Sequence, residues 1–151
     1  MTERMTNIIR NWQSDSLDQL STIAQNLQHH LSLPAVIIMD GEMGAGKTTF
    51  VSYFQRSCFP NDQRVVSSPT YSLINDLGEI LHADLYRIEE QTEIMRLELP
   101  LYIDGKSYLF FEWGINYLDE LQRELGAGFS YYHLKIEILK DESRYWTLEK
   151  L

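Results

Sequence analysis

The residues best suited to chemistry lie in one stretch, GEMGAGKTTF, at positions 41–50. The spacing Gly41-x-x-x-x-Gly46-Lys47-Thr48 is typical of a loop that binds phosphate groups. Glycines let the backbone turn tightly and direct its N–H groups at an anion. Lys47 would supply an ammonium for the outer phosphates, and the Thr48 hydroxyl a ligand for Mg²⁺.

This stretch predicts a bound nucleoside triphosphate with Mg²⁺, because the apolar run AVIIMD precedes it and a helix pattern follows. A glycine-rich turn that binds nothing is the simpler alternative. The residues expected at the nucleotide are Gly41, Glu42, Met43, Gly44, Ala45, Gly46, Lys47, Thr48 and Thr49.

A loop of this kind works with an acid at the end of a neighbouring strand, which holds Mg²⁺ or its waters. Glu112 follows four apolar residues, YLFF, and precedes Trp113, so it fits that position. Glu112 could instead orient an attacking water. An ordinary acid at the end of a strand is the simplest alternative.

A third group of polar side chains lies in LHADLYR, at positions 81–87. His82, Asp84 and Tyr86 alternate with apolar residues and would share one face of a strand. That face could carry function, with Asp84 as a candidate acid, but a solvated edge strand explains the alternation equally well. Arg87 and Arg96 are possible sources of positive charge for a transferring phosphoryl group.

The segment SSPTYS, at positions 67–72, is a predicted loop ahead of that strand. Pro69 favours an extended chain before it. Thr70 could reach Mg²⁺ as a residue of a switch loop does, and a plain turn is the alternative. The candidate switch-like residues are Ser68, Pro69, Thr70 and Tyr71.

The elements that must position these residues form an α/β pattern. Apolar runs at 35–39 and at 108–113, the second of which ends in the acid Glu112 and Trp113, are typical of buried parallel strands. Helical spacing is present at about 16–31, 46–58, 89–99 and 115–125, a hairpin is predicted at 71–88 with its turn at 75–78, and paired strands at 129–139 and 144–151. We expect a sheet with parallel central strands and antiparallel edges, flanked by helices.

Composition narrows the function. The 151 residues suit one domain, 1–151, and 44% hydrophobic content suits a globular chain without a membrane span. One cysteine, Cys58, favours the cytoplasm. A net charge of −9 disfavours direct binding to nucleic acid. No Asn-Lys-x-Asp sequence is present, which favours ATP over GTP, and no arginine-rich lid of a small-molecule kinase follows the loop.

Four segments, GEMGAGKTTF, SSPTYSL, LHADLYRI and FFEWG, follow one another in this order. Together they resemble the TsaE (YjeE) family, P-loop ATPases of bacterial tRNA threonylcarbamoyladenosine biosynthesis. The resemblance runs from about Ser16 to Tyr117. Phosphate-binding loops are common, but Ser-Pro-Thr-Tyr, His-x-Asp-x-Tyr-Arg and Glu-Trp in succession are much more specific.

The resemblance implies a P-loop NTPase fold, MgATP binding and slow hydrolysis that depends on partner proteins. It implies partnership with the TsaD–TsaB complex, which threonylcarbamoylates adenosine 37 of ANN-decoding tRNAs, so that tRNA is met only indirectly. It further implies that Asp84 and the pair Glu112-Trp113 are needed for activity and that Lys47 neutralises phosphate charge. The alternatives are a small-molecule P-loop kinase and a nucleotide-dependent binding module.

Three departures from the family pattern stand out. Glu42-Met43 replaces the usual Asp-Leu, Glu98 stands where glycine is common, and Leu20 stands where a threonine often lies near the nucleotide base. We expect Glu98 to affect the end of the preceding helix and Leu20 to affect recognition of the base.

Overall fold

The structure is a computed structural model and describes residues 7–66 and 73–151. Seven strands of these residues form one sheet. The strands are β1 (Ile8–Ser14), β2 (Ala35–Asp40), β3 (Ile74–Leu77), β4 (Ile80–Asp84), β5 (Tyr108–Glu112), β6 (Ser130–Ile138) and β7 (Arg144–Lys150). The helices are α1 (Gln19–His30), α2 (Lys47–Cys58), α3 (Thr92–Arg96) and α4 (Leu118–Leu125), and 3-10 turns lie at Leu99–Leu101 and Ile115–Tyr117.

The strand order is β1-β7-β6-β2-β5-β4-β3. The four central strands β6, β2, β5 and β4 run parallel, whereas β3 on one side and β7 and β1 on the other are antiparallel. The predicted α/β class with a parallel centre and antiparallel edges is therefore confirmed. Because the carboxyl ends of the parallel strands share one edge of the sheet, residues that follow β2, β4 and β5 are brought together there.

Two apolar layers cover the sheet. Side chains of β2 alternate between them, with Ile37 and Met39 in the layer under α1 and α2, and Val36 and Ile38 in the layer under α3 and α4. This two-sided burial explains why β2 reads as a continuous apolar run. Phe50 of α2 packs against Trp146 of β7 with ring centroids 5.0 Å apart, so that α2 is anchored across the sheet. Each such ring contributes about 1.5–3 kcal/mol by its burial.

The strand β1 was missed by the sequence reasoning. Its segment IIRNWQS shows no clean alternation, since it lies at the edge of the sheet and is half exposed. The first helix begins at Gln19, about three residues after the start that the helical spacing predicts. Ser14 ends β1, where its hydroxyl accepts a bond of 2.9 Å from the indole N–H of Trp146.

Two other elements are shorter than their sequence patterns indicate. The hairpin turn consists of Gly78 and Glu79 alone, so Asn75 lies inside β3 and not in the turn. The helix predicted over 89–99 is reduced to α3, because Glu98 adopts a left-handed conformation with φ of 55°. That conformation favours glycine, the residue that is common at this position in the family. The glutamate therefore affects the end of the helix, as the sequence led us to expect.

No helix within the described residues is long and apolar enough to cross a membrane.

Candidate phosphate-binding site

The glycine-rich segment joins β2 to α2, as its sequence predicts. Gly44 and Gly46 have φ values of 84° and 109°, a region that other residues seldom adopt. Gly41 meets a different requirement, because a Cβ there would lie 2.8 Å from the carbonyl oxygen of Ile136 on β6. Two glycines thus permit the turn of the loop, and the third lets the loop pass close to the neighbouring strand.

Lys47, the first residue of α2, is only 5% exposed. Its Nζ donates to the carbonyl oxygens of Gly41 at 2.5 Å and Glu42 at 3.2 Å, and it lies 4.0 Å from the ring centroid of Trp113. Burial lowers the pKa of Lys47, although nearby carboxylates, Glu112 first, oppose that shift. The ammonium is thus held by its own loop and by an aromatic face.

The two candidate acids lie side by side because of strand register. Asp84 pairs with Glu112 across β4 and β5, and Glu112 pairs with Met39 of β2. Paired residues project to the same face of a sheet, so both carboxylates lie on the α2 face. Asp84 is half-buried and its Oδ1 accepts the backbone N–H of Tyr86 at 3.0 Å, which shapes the turn after β4.

Glu112 is the buried member of the pair, with 3% of its surface exposed. Its Oε2 accepts a bond of 2.8 Å from the hydroxyl of Thr48, the second residue of α2. The same oxygen lies 2.5 Å from Nε2 of His82, which is fully buried in β4. A buried carboxylate needs such donors, because removal from water penalises its charge.

The row His82, Asp84 and Tyr86 is divided by depth. His82 is buried, Asp84 is half-buried at the end of β4, and Tyr86 lies beyond the strand with 56% exposure. The alternative of a solvated edge strand is wrong, because β3 and β5 flank β4. The ring of Tyr86 lies 5.4 Å from that of Trp113, whose own φ of 63° is left-handed.

These side chains surround a cavity of about 460 Å³ beyond the carboxyl ends of β4 and β5. Most of the predicted site residues line it. The lining residues are Met43, Gly44, Gly46, Lys47, Thr48, Thr49, Leu73, Asp84, Tyr86, Arg87, Glu112 and Trp113. Arg96 lies instead at the end of α3, and the candidate switch-like residues Ser68, Pro69, Thr70 and Tyr71 fall outside the described residues.

A second cavity of about 300 Å³ adjoins the other side of the glycine-rich loop, and sequence reasoning missed it. It shares Gly44, Gly46 and Thr49 with the first cavity and is otherwise lined from distant segments, among them Leu17, Leu20 and Arg144. Arg144 donates through Nε to the carbonyl oxygen of Ala45 at 3.2 Å. The departure at Leu20 was the one sequence signal that pointed to this region.

The donor set suits Mg²⁺ better than a transition metal. Among residues 7–66 and 73–151, no cluster of three or more histidine, cysteine or acidic side chains could hold a metal ion by itself. Mg²⁺ is bound through few protein oxygens, and phosphates and waters complete its shell. The hydroxyl of Thr48 and the carboxylates of Glu112 and Asp84 meet that requirement at the cavity.

A parallel-centred sheet with a glycine-rich loop between a central strand and its helix places the protein in the α/β class. Comparison with known proteins then gives the family. The family model "Threonylcarbamoyl adenosine biosynthesis protein TsaE" matches residues 14–146, and the chain belongs to the TsaE family.

Three curated relatives carry the name "tRNA threonylcarbamoyladenosine biosynthesis protein TsaE". The Bacillus subtilis (strain 168) protein is 28% identical over 117 residues, which cover 75% of this chain and 72% of that protein. The Nostoc sp. (strain PCC 7120) protein is 39% identical over 50% of this chain and 47% of its own length. The Aquifex aeolicus (strain VF5) protein is 34% identical over 50% of this chain and 60% of its own length.

The matched regions thus span about half to three quarters of these relatives. The crystal structure of Bacillus subtilis YdiB is similar in fold, with a TM-score of 0.68 over 98% of this chain and 88% of that chain. Its sequence identity of 22% supports the fold alone.

Proposed function

We propose that this protein binds MgATP in the larger cavity and hydrolyses it slowly, as the ATPase component of tRNA threonylcarbamoyladenosine biosynthesis. One observation carries the proposal: the Thr48 hydroxyl donates to Glu112 at 2.8 Å, directly beside the glycine-rich loop. These residues are 64 positions apart, and the fold brings together a hydroxyl and a carboxylate, the two groups that a magnesium site beside bound phosphates would use. Family membership supports the pathway.

Lys47 is the residue whose partners change when nucleotide binds. Its ammonium bonds to the carbonyl oxygens of Gly41 and Glu42, which are neutral acceptors. A charged acceptor forms a bond about twice as strong as a neutral one. An incoming polyphosphate therefore draws Nζ away from the loop, and the lysine then neutralises charge on the outer phosphates.

The acids have complementary positions in this scheme. Thr48, Glu112 and Asp84 would hold the metal directly or through its waters, and Glu112 or Asp84 would orient the attacking water. Mg²⁺ held there would supply positive charge that stabilises the negative charge developing during hydrolysis. Glu112 is fixed by two donors and Asp84 by one backbone N–H, so both carboxylates are positioned before the substrate arrives.

The smaller cavity is the proposed seat of the adenine base. It adjoins the loop on the side away from the acids and offers the apolar side chains of Leu17 and Leu20 beside the guanidinium of Arg144. Apolar side chains can pack against the face of a purine, and a guanidinium is attracted to its π-system.

The partner we propose is the TsaD–TsaB complex, whose threonylcarbamoyl transfer to adenosine 37 of ANN-decoding tRNAs would depend on this ATPase. A net charge of −9 suits a protein that meets a protein surface and reaches tRNA only through its partner. We further propose that the protein works in the cytoplasm, a reducing compartment that its single cysteine, Cys58, favours. Alone, it should turn over at about 10⁻⁴ to 10⁻² per second, the range of unassisted nucleotide hydrolysis.

Two measurements test the proposal. In vitro, Asp84→Ala should retain most of the ATP affinity and lose most of the hydrolysis, and equal losses in both would refute its role at the reacting phosphate. In cells, the chain should restore threonylcarbamoyladenosine in tRNA of Bacillus subtilis depleted of its relative, as read by mass spectrometry of tRNA nucleosides.

The same cell assay distinguishes an ATPase from a binding module, and a metabolite assay tests for a kinase. Glu112→Gln should fail to restore the modified nucleoside, whereas full restoration would indicate a binding module whose hydrolysis is incidental. A phosphorylated metabolite formed from labelled ATP would indicate a kinase.

A further inference from the structure

His82 is buried where an apolar residue would satisfy the packing. It lies in the middle of β4, between Asn75 of β3 and Phe110 of β5, with no exposed surface. The neighbouring buried positions on that face carry apolar side chains such as Ile80 and Phe110. An imidazole buried there needs partners for its ring nitrogens, because an unpaired polar group is costly away from water.

Both ring nitrogens of His82 have such partners. Nε2 lies 2.5 Å from Oε2 of Glu112, and Nδ1 lies 3.5 Å from the amide nitrogen of Asn75. An ionised carboxylate only accepts hydrogen bonds, so Nε2 carries the hydrogen and donates it. The amide nitrogen of Asn75 is a donor, which makes Nδ1 the acceptor. The surroundings thus select the form of the ring that bears its hydrogen on Nε2.

We propose that His82 is a positioning residue for the proposed ATPase reaction, and that it acts by holding the carboxylate of Glu112 in its working orientation. This inference rests on the proposed function. Oε2 of Glu112 accepts from His82 and from Thr48, and the second donor belongs to the residue assigned to Mg²⁺. His82 is therefore the donor that holds Glu112 independently of the metal.

His82 holds the proposed metal ligand Glu112 and would not touch the metal itself, as residues in the outer shell of a metal site do. Groups that orient a ligand without touching the metal typically change affinity or activity about 10- to 100-fold when removed. We expect His82→Leu, which fills the space without a donor, to lower the maximal hydrolysis rate about 10- to 100-fold. Affinity for ATP without Mg²⁺ should stay within about twofold, because His82 does not line the cavity.

Two variants distinguish positioning from packing. His82→Gln restores an N–H at a similar reach and should recover most of the rate. It should do so even though glutamine packs less well than leucine against the apolar neighbours. In a Glu112→Gln background, His82→Leu should change the residual rate by less than about twofold, because residues that act through one another are not additive. Thermal unfolding of each variant confirms that it is folded.

A spectroscopic measurement on the wild-type protein gives a readout that does not depend on turnover. Two-bond ¹H–¹⁵N spectra of the wild-type protein report which ring nitrogen of each histidine bears hydrogen, and His82→Gln identifies the signals of His82. We expect hydrogen on Nε2. A ring with hydrogen on Nδ1 and none on Nε2 would overturn the proposal, as would a rate for His82→Gln no higher than for His82→Leu, or losses that multiply in the double variant. Wild-type protein that neither binds nor hydrolyses MgATP would instead overturn the proposed function, and this role with it.

Discussion

Replacement of Thr48 by valine tests the proposed magnesium site most directly. Valine has nearly the shape of threonine and lacks the hydroxyl that donates to Oε2 of Glu112 at 2.8 Å. The change therefore leaves the backbone of the loop as it is and removes one donor from a carboxylate that is 3% exposed. It also removes the hydroxyl proposed to bind Mg²⁺.

The structure sets the size of two effects. A hydrogen bond to a charged group contributes about 1.5–3 kcal/mol, so the nucleotide-free variant should lose roughly 2 kcal/mol of stability. For a chain of this size, that loss corresponds to a Tm lower by roughly 4–8 °C. If the contact between the Thr48 hydroxyl and Mg²⁺ contributes a similar free energy, its loss weakens the binding of MgATP roughly 30-fold.

Calorimetric titration with ATP, once with Mg²⁺ and once with a chelator, measures the binding effect. The variant should bind metal-free ATP like the wild type and gain little affinity when Mg²⁺ is added. Thr22→Val is a matched control, because Thr22 is exposed on α1 and far along the chain from the loop. If Thr48→Val kept the full enhancement by Mg²⁺, the assignment of the metal to this hydroxyl would be wrong.

Three further predictions concern stability and reactivity. Glu98→Gly should raise the Tm by roughly 2–4 °C, since it relieves a left-handed residue at a cost of about 1 kcal/mol, and a lower Tm would contradict this. Lys47→Met should be at least as stable as the wild type without nucleotide, because burial lowers the pKa of Lys47 and so disfavours its charged form in the fold. The stability advantage of Lys47→Met over the wild type should be largest near neutral pH and shrink as the pH approaches 10.5, where the unfolded chain also releases this proton. A stability difference in thermal unfolding that does not change with pH would refute the argument. Burial raises the pKa of Cys58 to about 12, so iodoacetamide at pH 8 should alkylate the folded protein far more slowly than the urea-unfolded chain, and equal rates would show an accessible thiolate.

Local sequence was sufficient for the glycine-rich loop and its flanking elements. A buried strand, three glycines and a helix start are encoded within about two dozen consecutive residues, and β2 and α2 fall where they are predicted. Alternation in β4 likewise placed His82 and Asp84 on one face. In contrast, Asn75 was assigned to the turn, because a turn-forming residue type does not reveal that Gly78 and Glu79 suffice to close the hairpin.

The contacts that complete the site were beyond local reasoning. His82 and Glu112 are 30 positions apart, and neither residue type by itself indicates the other. The same holds for the smaller cavity, which combines Leu17 and Leu20 with Arg144 from the opposite end of the chain. The strand β1 escaped notice because an edge strand pairs on one side only and its burial leaves a weak pattern.

By itself, the sequence determined the α/β class, the glycine-rich loop and the identity of the candidate acids, since these depend on residue types and on spacing over short distances. Only the tertiary structure decided which acid is buried, which donors hold it and where Lys47 directs its charge. The reason is physical: burial and hydrogen-bond geometry arise when strands that are distant in the chain pair at one edge of the sheet, and no local pattern records that pairing.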